Sequence, residues 1–365
     1  MKAAIVTLHR VYNYGSALQA YATQRVFEQA GYEAGIIDYI TPQRTLRRLL
    51  TGVPDDSMSG VKLLAYRCAK SVSILLKEMT FGRFVRRNLN LTKKYITAED
   101  LDRDPPQADL YVTGSDQTWN SQYNEGVDRG FFLDFVPEDA RRISFAASFG
   151  KTELDAAEIP DTKRYISRYE GLSVREDSAK DILAGLGRDD AIQIIDPTLQ
   201  ISKDEWLKIA SKRLIKPRYL ILMLLYNEDN HATEYARKLA DEKGLVLVKL
   251  SWEMKKPPMV DVLMTHRSPA DFLSLFYHAD FVVTNSFHGL AFSINLEKQF
   301  IVVPRNEFNS RIDSLLALTG LQNRLVSDEA QLSVAQEEID YACVMTILES
   351  ERKVADTFLS RILSE

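Results

Sequence analysis

The stretch KAAIVTLHRVYNYGSALQAYATQRVFEQAGYEAGIIDYI, residues 2–40, decides the fold. Residues 2–8 are a short apolar run that reads as a buried strand. The loop Tyr12-Asn13-Tyr14-Gly15-Ser16 follows. Residues 17–30 then carry a helical pattern that stops at Gly31, and glycine ends helices readily because it enters left-handed backbone without strain. Residues 33–40 read as a second strand. Strand, helix and strand in this order make the unit from which parallel sheets are built.

Outward from this unit the alternation continues. Asp109–Thr113 reads as a strand that ends in a Gly114-Ser115-Asp116 loop; residues 142–148, 171–175 and 192–195 read as further strands, the last closed by Asp196-Pro197. A second series starts with the apolar run 219–226, followed by a helix over 231–243 that ends at Gly244 and a strand over 245–250. It proceeds through a helix over 269–278, a strand over 281–284, a helix starting at 289–295 and a strand over 300–303 closed by Pro304. A chain of 365 residues is too long for one ordinary core. The expected fold class is therefore α/β, with two doubly wound domains facing across a cleft: 1–205, then 206–329, with helices over 330–365 packing back on the first domain.

Residues 41–95 interrupt the pattern. Twelve Lys and Arg stand there against Asp55, Asp56 and Glu78, a local balance of +9 in a chain whose net charge is −5. Leu63, Leu64, Ile74, Leu75, Leu76, Phe81 and Phe84 are interleaved at helical spacing, so a basic helical insertion is expected. Such a stretch is ordinarily a solvated helical face. Basic residues 44–94 interleaved with Leu, Ile and Phe also suit docking on an anionic leaflet.

The overall acidic balance argues against a dedicated nucleic-acid binder. Cys68 and Cys343 form no Cys-x-x-Cys pair, which excludes a thiolate zinc site and fits a reduced, cytoplasmic setting. The first apolar run is too short for a signal-peptide core, and no stretch reaches the roughly 18 apolar residues needed to span a bilayer. No ligand cluster with metal spacing appears, so no metal is expected.

In open parallel sheets ligands bind at the carboxyl ends of the strands. The loops there are 13–16, 114–120, 148–150, 175–177, 285–289 and 305–311, where glycine and polar residues concentrate. His288, in Asn285-Ser286-Phe287-His288-Gly289, is placed for proton transfer, or else caps a helix or satisfies a buried carbonyl. Arg175 suits bidentate recognition of a carboxylate or phosphate, or else pairs with Glu176, Asp177 or another surface carboxylate. Gly114-Ser115-Asp116-Gln117-Thr118-Trp119-Asn120 offers amides, hydroxyls and an aromatic platform for a sugar; equally, Ser115 or Asp116 caps a turn. Asn309-Ser310-Arg311 reads as a further cleft cation or a surface ion pair. Dinucleotide and P-loop fingerprints are both missing.

Taken together, Asn-Tyr-Gly-Ser at 13–16, Gly-Ser-Asp-Gln-x-Trp-Asn at 114–120, Ser-Val-Arg-Glu at 173–176, Asp-Pro-Thr-Leu at 196–199 and Ser-Phe-His-Gly at 286–289 resemble the polysaccharide pyruvyltransferase family, over nearly the whole chain to about residue 325. The resemblance implies two Rossmann-like domains of GT-B type and a pyruvyltransferase that uses phosphoenolpyruvate as co-substrate, without a cofactor. The acceptor it implies is a sugar, with a lipid-linked oligosaccharide suggested by the basic stretch and a location at the inner face of the membrane. Matched by position, His288 and Arg175 are the implied catalytic residues. Arg175, Ser286, Phe287, His288, Gly289, Arg305 and Arg311 would bind the donor. Asn13, Tyr14, Gly15, Ser16, Gly114, Ser115, Asp116, Gln117, Trp119 and Asn120 would bind the acceptor. Members often carry a second Arg two residues before the His; Ser286 stands there, and Arg305 or Arg311 would replace it. A GT-B glycosyltransferase using a nucleotide sugar, or a non-catalytic glycan- or anion-binding protein, would share this fold.

Overall fold

The computed structural model describes residues 1–51, 60–225, 231–253, 255–305 and 309–364. The chain forms two compact units: Met1–Val174 with Ala179–Gln193, and Arg175–Ser178 with Ile194–Glu365. The sequence reading drew its boundary at about 205 and sent the last helices to the first domain. Here residues 194–205 group with the second unit, and the Tyr341–Ser364 helix packs on the Pro197–Gln200 and Ser310–Thr319 helices of that unit.

Among the described residues the first unit holds seven strands: β1 (Lys2–Val6), β2 (Glu33–Tyr39), β3 (Leu91–Tyr95), β4 (Leu110–Thr113), β5 (Arg141–Ala147), β6 (Gly171–Val174) and β7 (Ile192–Gln193). They lie in the order β3-β2-β1-β4-β5-β6-β7 and every pair is parallel. The second unit holds β8 (Tyr219–Met223), β9 (Val246–Ser251), β10 (Val262–Thr265), β11 (Phe281–Thr284) and β12 (Gln299–Val302), ordered β10-β9-β8-β11-β12 and again all parallel. Each sheet therefore starts in its middle, runs to one edge, and resumes on the other side of the first strand. The two places where the direction reverses, β1/β4 and β8/β11, are the crevices where such sheets bind ligands.

The central strands β4, β8 and β11 are buried at every residue, as their continuous apolar runs require. Two strands escaped the sequence reading. β3 lies inside the stretch expected to be helical, and β10 lies in a stretch given no element. Both are edge strands. β3 buries only Tyr95 and exposes Lys93 and Lys94, while β10 buries only Met264. A strand with one hydrogen-bonding edge unpaired need not carry the apolar run that marks a central one.

Candidate functional site

At the second crevice, β11 is followed by Asn285, whose side chain bridges to the loop after β8: its Oδ1 accepts from the Leu225 N–H at 2.7 Å and its Nδ2 donates to the Leu225 carbonyl at 3.4 Å. The next residue, Ser286, caps the Phe287–Asn295 helix by accepting from the Gly289 N–H at 3.3 Å. A cap of this kind stabilises a helix by about 1 kcal/mol. Ser286 thus has a structural task of its own, and an arginine there would forgo it. Gly289 is required because a Cβ would run into the Thr284 side chain. That threonine is fixed by donating to the Met223 carbonyl at 2.8 Å. Strand end, cap and tight approach place Phe287 and His288 in the first turn of a helix buried on all sides.

Around this turn the second unit gathers charge. Arg175 donates to Asp196 at 2.7 Å and lies over the Phe287 ring, 4.8 Å from its centroid. Arg311 lies over the same ring at 5.7 Å. Asp196 also accepts from the Thr198 N–H at 2.9 Å and the Thr198 hydroxyl at 2.7 Å. Burial alone would raise its carboxyl pKa. The neighbouring Arg175 and His288 charges, with the Thr198 and Arg175 hydrogen bonds, outweigh that and hold it below the usual carboxylate range. Arg175 is thus paired with a buried carboxylate, Asp196, rather than with a chain neighbour or a surface group; Glu176 stands 3.9 Å from its Nε. Arg305 lies in the loop after β12, held by reciprocal bonds in which its N–H donates to Asn309 at 3.0 Å and its carbonyl accepts from Asn309 at 2.7 Å.

The first crevice is built differently. Asn13 caps the Tyr14–Gln29 helix, accepting from the Gly15 and Ser16 N–H groups at 2.9 and 3.4 Å. The Ser16 hydroxyl donates to Asp116 at 2.6 Å, tying the loop after β1 to the loop after β4. Asn120 donates to the Gln117 amide oxygen at 2.7 Å and caps the short helix that follows. Gly114 has a φ of +120°, and a Cβ there would strike the Phe145 carbonyl; Ser115 donates to the Ala146 carbonyl at 2.9 Å. Asn13, Ser16, Asp116, Gln117 and Asn120 are thus brought together in this unit.

Two residues expected in this group face inward. Trp119 is 3% exposed, stacked on Phe132 at 5.5 Å and tilted on Phe149 at 5.1 Å, so its ring belongs to the core and is no sugar platform. Tyr14 is buried against Phe81. A partly exposed tryptophan, Trp252, sits instead just after β9 in the second sheet, edge-on to His266.

Sequence reasoning assigned no role to Asp38, Arg10 or Asp196. Arg10 forms a two-pronged pair with Asp38 at 2.8 and 2.6 Å, and the His9 ring reaches Asp38 at 2.9 Å and the Thr7 carbonyl at 3.1 Å. Burial opposes the Asp38 charge, but the His9 and Arg10 hydrogen bonds keep the carboxyl well below its usual range. The available signal was a lone Asp inside the apolar strand β2 and the Asp-Pro-Thr turn at Asp196.

The sequence pattern of the family described as polysaccharide pyruvyl transferase matches residues 13–307. No curated protein matches in sequence. Similar solved structures include the UDP-N-acetylglucosamine 2-epimerase from Rickettsia bellii (12% identity, 99% of this chain and 95% of that chain, TM-score 0.54). A putative enzyme of the same name from Listeria monocytogenes shows 13% identity over 100% and 96%, with a TM-score of 0.53. The Methanocaldococcus jannaschii UDP-GlcNAc 2-epimerase in complex with UDP-GlcNAc and UDP shows 14% over 100% and 99%, at 0.51. At such identities the likeness is one of fold: two Rossmann-like domains of the GT-B kind.

Proposed function

The chain belongs to the polysaccharide pyruvyl transferase family, and from that premise we propose that it transfers the enolpyruvyl group of phosphoenolpyruvate to two hydroxyls of one sugar, forming a pyruvate ketal. The acceptor in this reading is a lipid-linked glycan. The observation that carries the proposal is the convergence of Arg175 and Arg311 on Phe287, next to His288 at the start of a buried helix. Phosphoenolpyruvate carries a carboxylate and a phosphate. Guanidinium groups and helix-terminal N–H groups are the donors that suit both.

Arg175 is already paired with Asp196, so its part is to hold the Phe287 turn and contribute positive potential. Arg311, also over the Phe287 ring, supplies the cation that many members carry at the position of Ser286. His288 gives a proton to the methylene carbon, and the carbon bearing the phosphate ester becomes electrophilic. One sugar hydroxyl adds there and returns its proton to His288. The carbon–oxygen bond to phosphate then breaks, and the second hydroxyl closes the ketal. Its proton leaves with the inorganic phosphate. One hydroxyl proton thus ends in the new methyl group and the other on phosphate. The polar group of Asn13, Ser16, Asp116, Gln117 and Asn120 is the proposed acceptor side.

The test is incubation with phosphoenolpyruvate and a glycan acceptor, read by mass spectrometry. The proposal expects a gain equal to pyruvic acid less one water, with release of inorganic phosphate. No gain with phosphoenolpyruvate, and a gain of a whole sugar residue with a nucleotide sugar, would replace it with glycosyl transfer.

A further inference from the structure

The Gly60–Lys77 helix and the π-turn after it, Glu78–Gly82, carry an apolar stripe that no described element covers. Leu64 is 64% exposed, Val72 54%, Leu75 49% and Met79 59%, and Cys68 between them is also exposed. These five recur at intervals of three and four and fall within an arc of roughly 80° on a helix of 3.6 residues per turn. The opposite face of the same helix is the one that packs: Ile74 is buried, and Leu63 and Tyr66 are half-buried. The helix is therefore amphipathic twice over, and its outward apolar face is not explained by the protein's own core. Single exposed apolar residues are ordinary, but a continuous stripe of them marks a binding surface.

The charge around the stripe selects the occupant. Arg67 on the helix, Arg47 and Arg48 on the Leu46–Thr51 helix packed beside it, and Arg83 and Arg87 beyond the π-turn are all exposed. The whole insertion, residues 41–95, carries +9. Two copies of this surface would repel each other, whereas an anionic bilayer attracts both features: the cations to its headgroups and the stripe to the acyl boundary. No helix among the described residues is long and apolar enough to cross a membrane, so the geometry is that of a helix lying on the surface. We propose that the stripe Leu64–Cys68–Val72–Leu75–Met79 is the face by which this protein docks on an anionic lipid bilayer. This extends the proposed function, because a lipid-linked acceptor lies at such a surface, but the docking is read without turnover.

Cys68 makes the test direct. In the Cys343→Ser variant it is the sole thiol and takes a polarity-sensitive dye. Vesicles of phosphatidylglycerol and phosphatidylcholine should blue-shift the dye and float the protein, and vesicles of phosphatidylcholine alone should do neither. Replacing Leu64, Val72, Leu75 and Met79 by Gln in the unlabelled protein should lower the floated fraction at least about tenfold. Arg67→Gln with Arg83→Gln and Arg87→Gln should do likewise, more strongly at low salt. Pyruvyl transfer to a water-soluble acceptor should be unchanged in both. A wild-type protein that ignores anionic vesicles, or flotation that survives the Gln variants, overturns the proposal. So does a dimer in light scattering that the Gln variants turn to monomer, since the stripe would then face a second copy.

Discussion

The two units solve the same problem with the same three residue types and reach different ends. Each gathers an Arg, an Asp and a His where parallel strands end: His9, Arg10 and Asp38 after β1 and in β2, and Arg175, Asp196 and His288 after β6, β7 and β11. In the first unit His9 is clamped between the Thr7 carbonyl and Asp38, and Arg10 closes the carboxylate from the other side. Both ring nitrogens are committed to these partners, and the cluster acts as a brace. In the second unit Asp196 is occupied by Arg175 and Thr198, while His288 stands in the first turn of a helix and acts on Asp196 through its charge. The lesson is that a histidine's chemistry is set by which neighbour the carboxylate is spent on. Where the carboxylate holds the imidazole, the imidazole is structural. Where it holds the arginine, as Asp196 holds Arg175, the proposed catalytic role falls to an imidazole in the first turn of the helix.

The comparison breaks most visibly on the two histidines. His288→Ala should lower turnover by roughly 10²–10⁴-fold in a protein that stays folded. His9→Ala should lower the midpoint, with turnover of the folded protein nearly intact. The reverse pattern in a paired assay of turnover and thermal unfolding would exchange their roles. Next in size, Arg175→Met leaves Asp196 charged, buried and short of its main partner, which costs about 3–5 kcal/mol in denaturant titration. Arg10→Met should cost less, because His9 still holds Asp38. Trp119→Ala should cost about 3–5 kcal/mol as a core truncation and leave the acceptor KM of the folded protein unchanged. A raised KM without loss of stability would return the ring to the binding surface.

The smallest effect is shared by both units. Asp38 and Asp196 are each depressed below the ordinary carboxylate range. Their stabilising contribution is present above the unfolded value of about 3.9 and is lost as pH falls below it toward the folded values. Denaturation at stepped pH should show stability falling from about pH 4 downward, with a shallower fall in Asp38→Asn. An equal slope in that variant would remove Asp38 from the account.

Much of the fold was legible because central parallel strands must be apolar on both faces. β1, β4, β8 and β11 all announced themselves in this way, and Gly31 and Gly244 marked the ends of their helices. The edge strands β3 and β10 gave no such signal. The site was legible in part. Ligands bind where parallel strands end, and that rule marks Ser286–Gly289 and Asn13–Ser16 as candidates, both at a reversal of strand order. The direction in which a loop side chain turns is not written in the local sequence, so Trp119, set among amides and hydroxyls, read as surface and is core. Buried carboxylates are equally silent. Asp196 looked like a turn residue after a strand, and only the arrival of Arg175 from 21 positions earlier gives it its role.

The central claim is that the anionic donor binds at the cation-rich end of the second sheet. Titration calorimetry of phosphoenolpyruvate into the full chain tests it most directly. Arg311→Gln should weaken binding by about 10- to 100-fold, the loss of one charged hydrogen-bond donor. Ser16→Ala in the first unit should leave the affinity unchanged. Affinity that survives Arg311→Gln and falls with Ser16→Ala would contradict it.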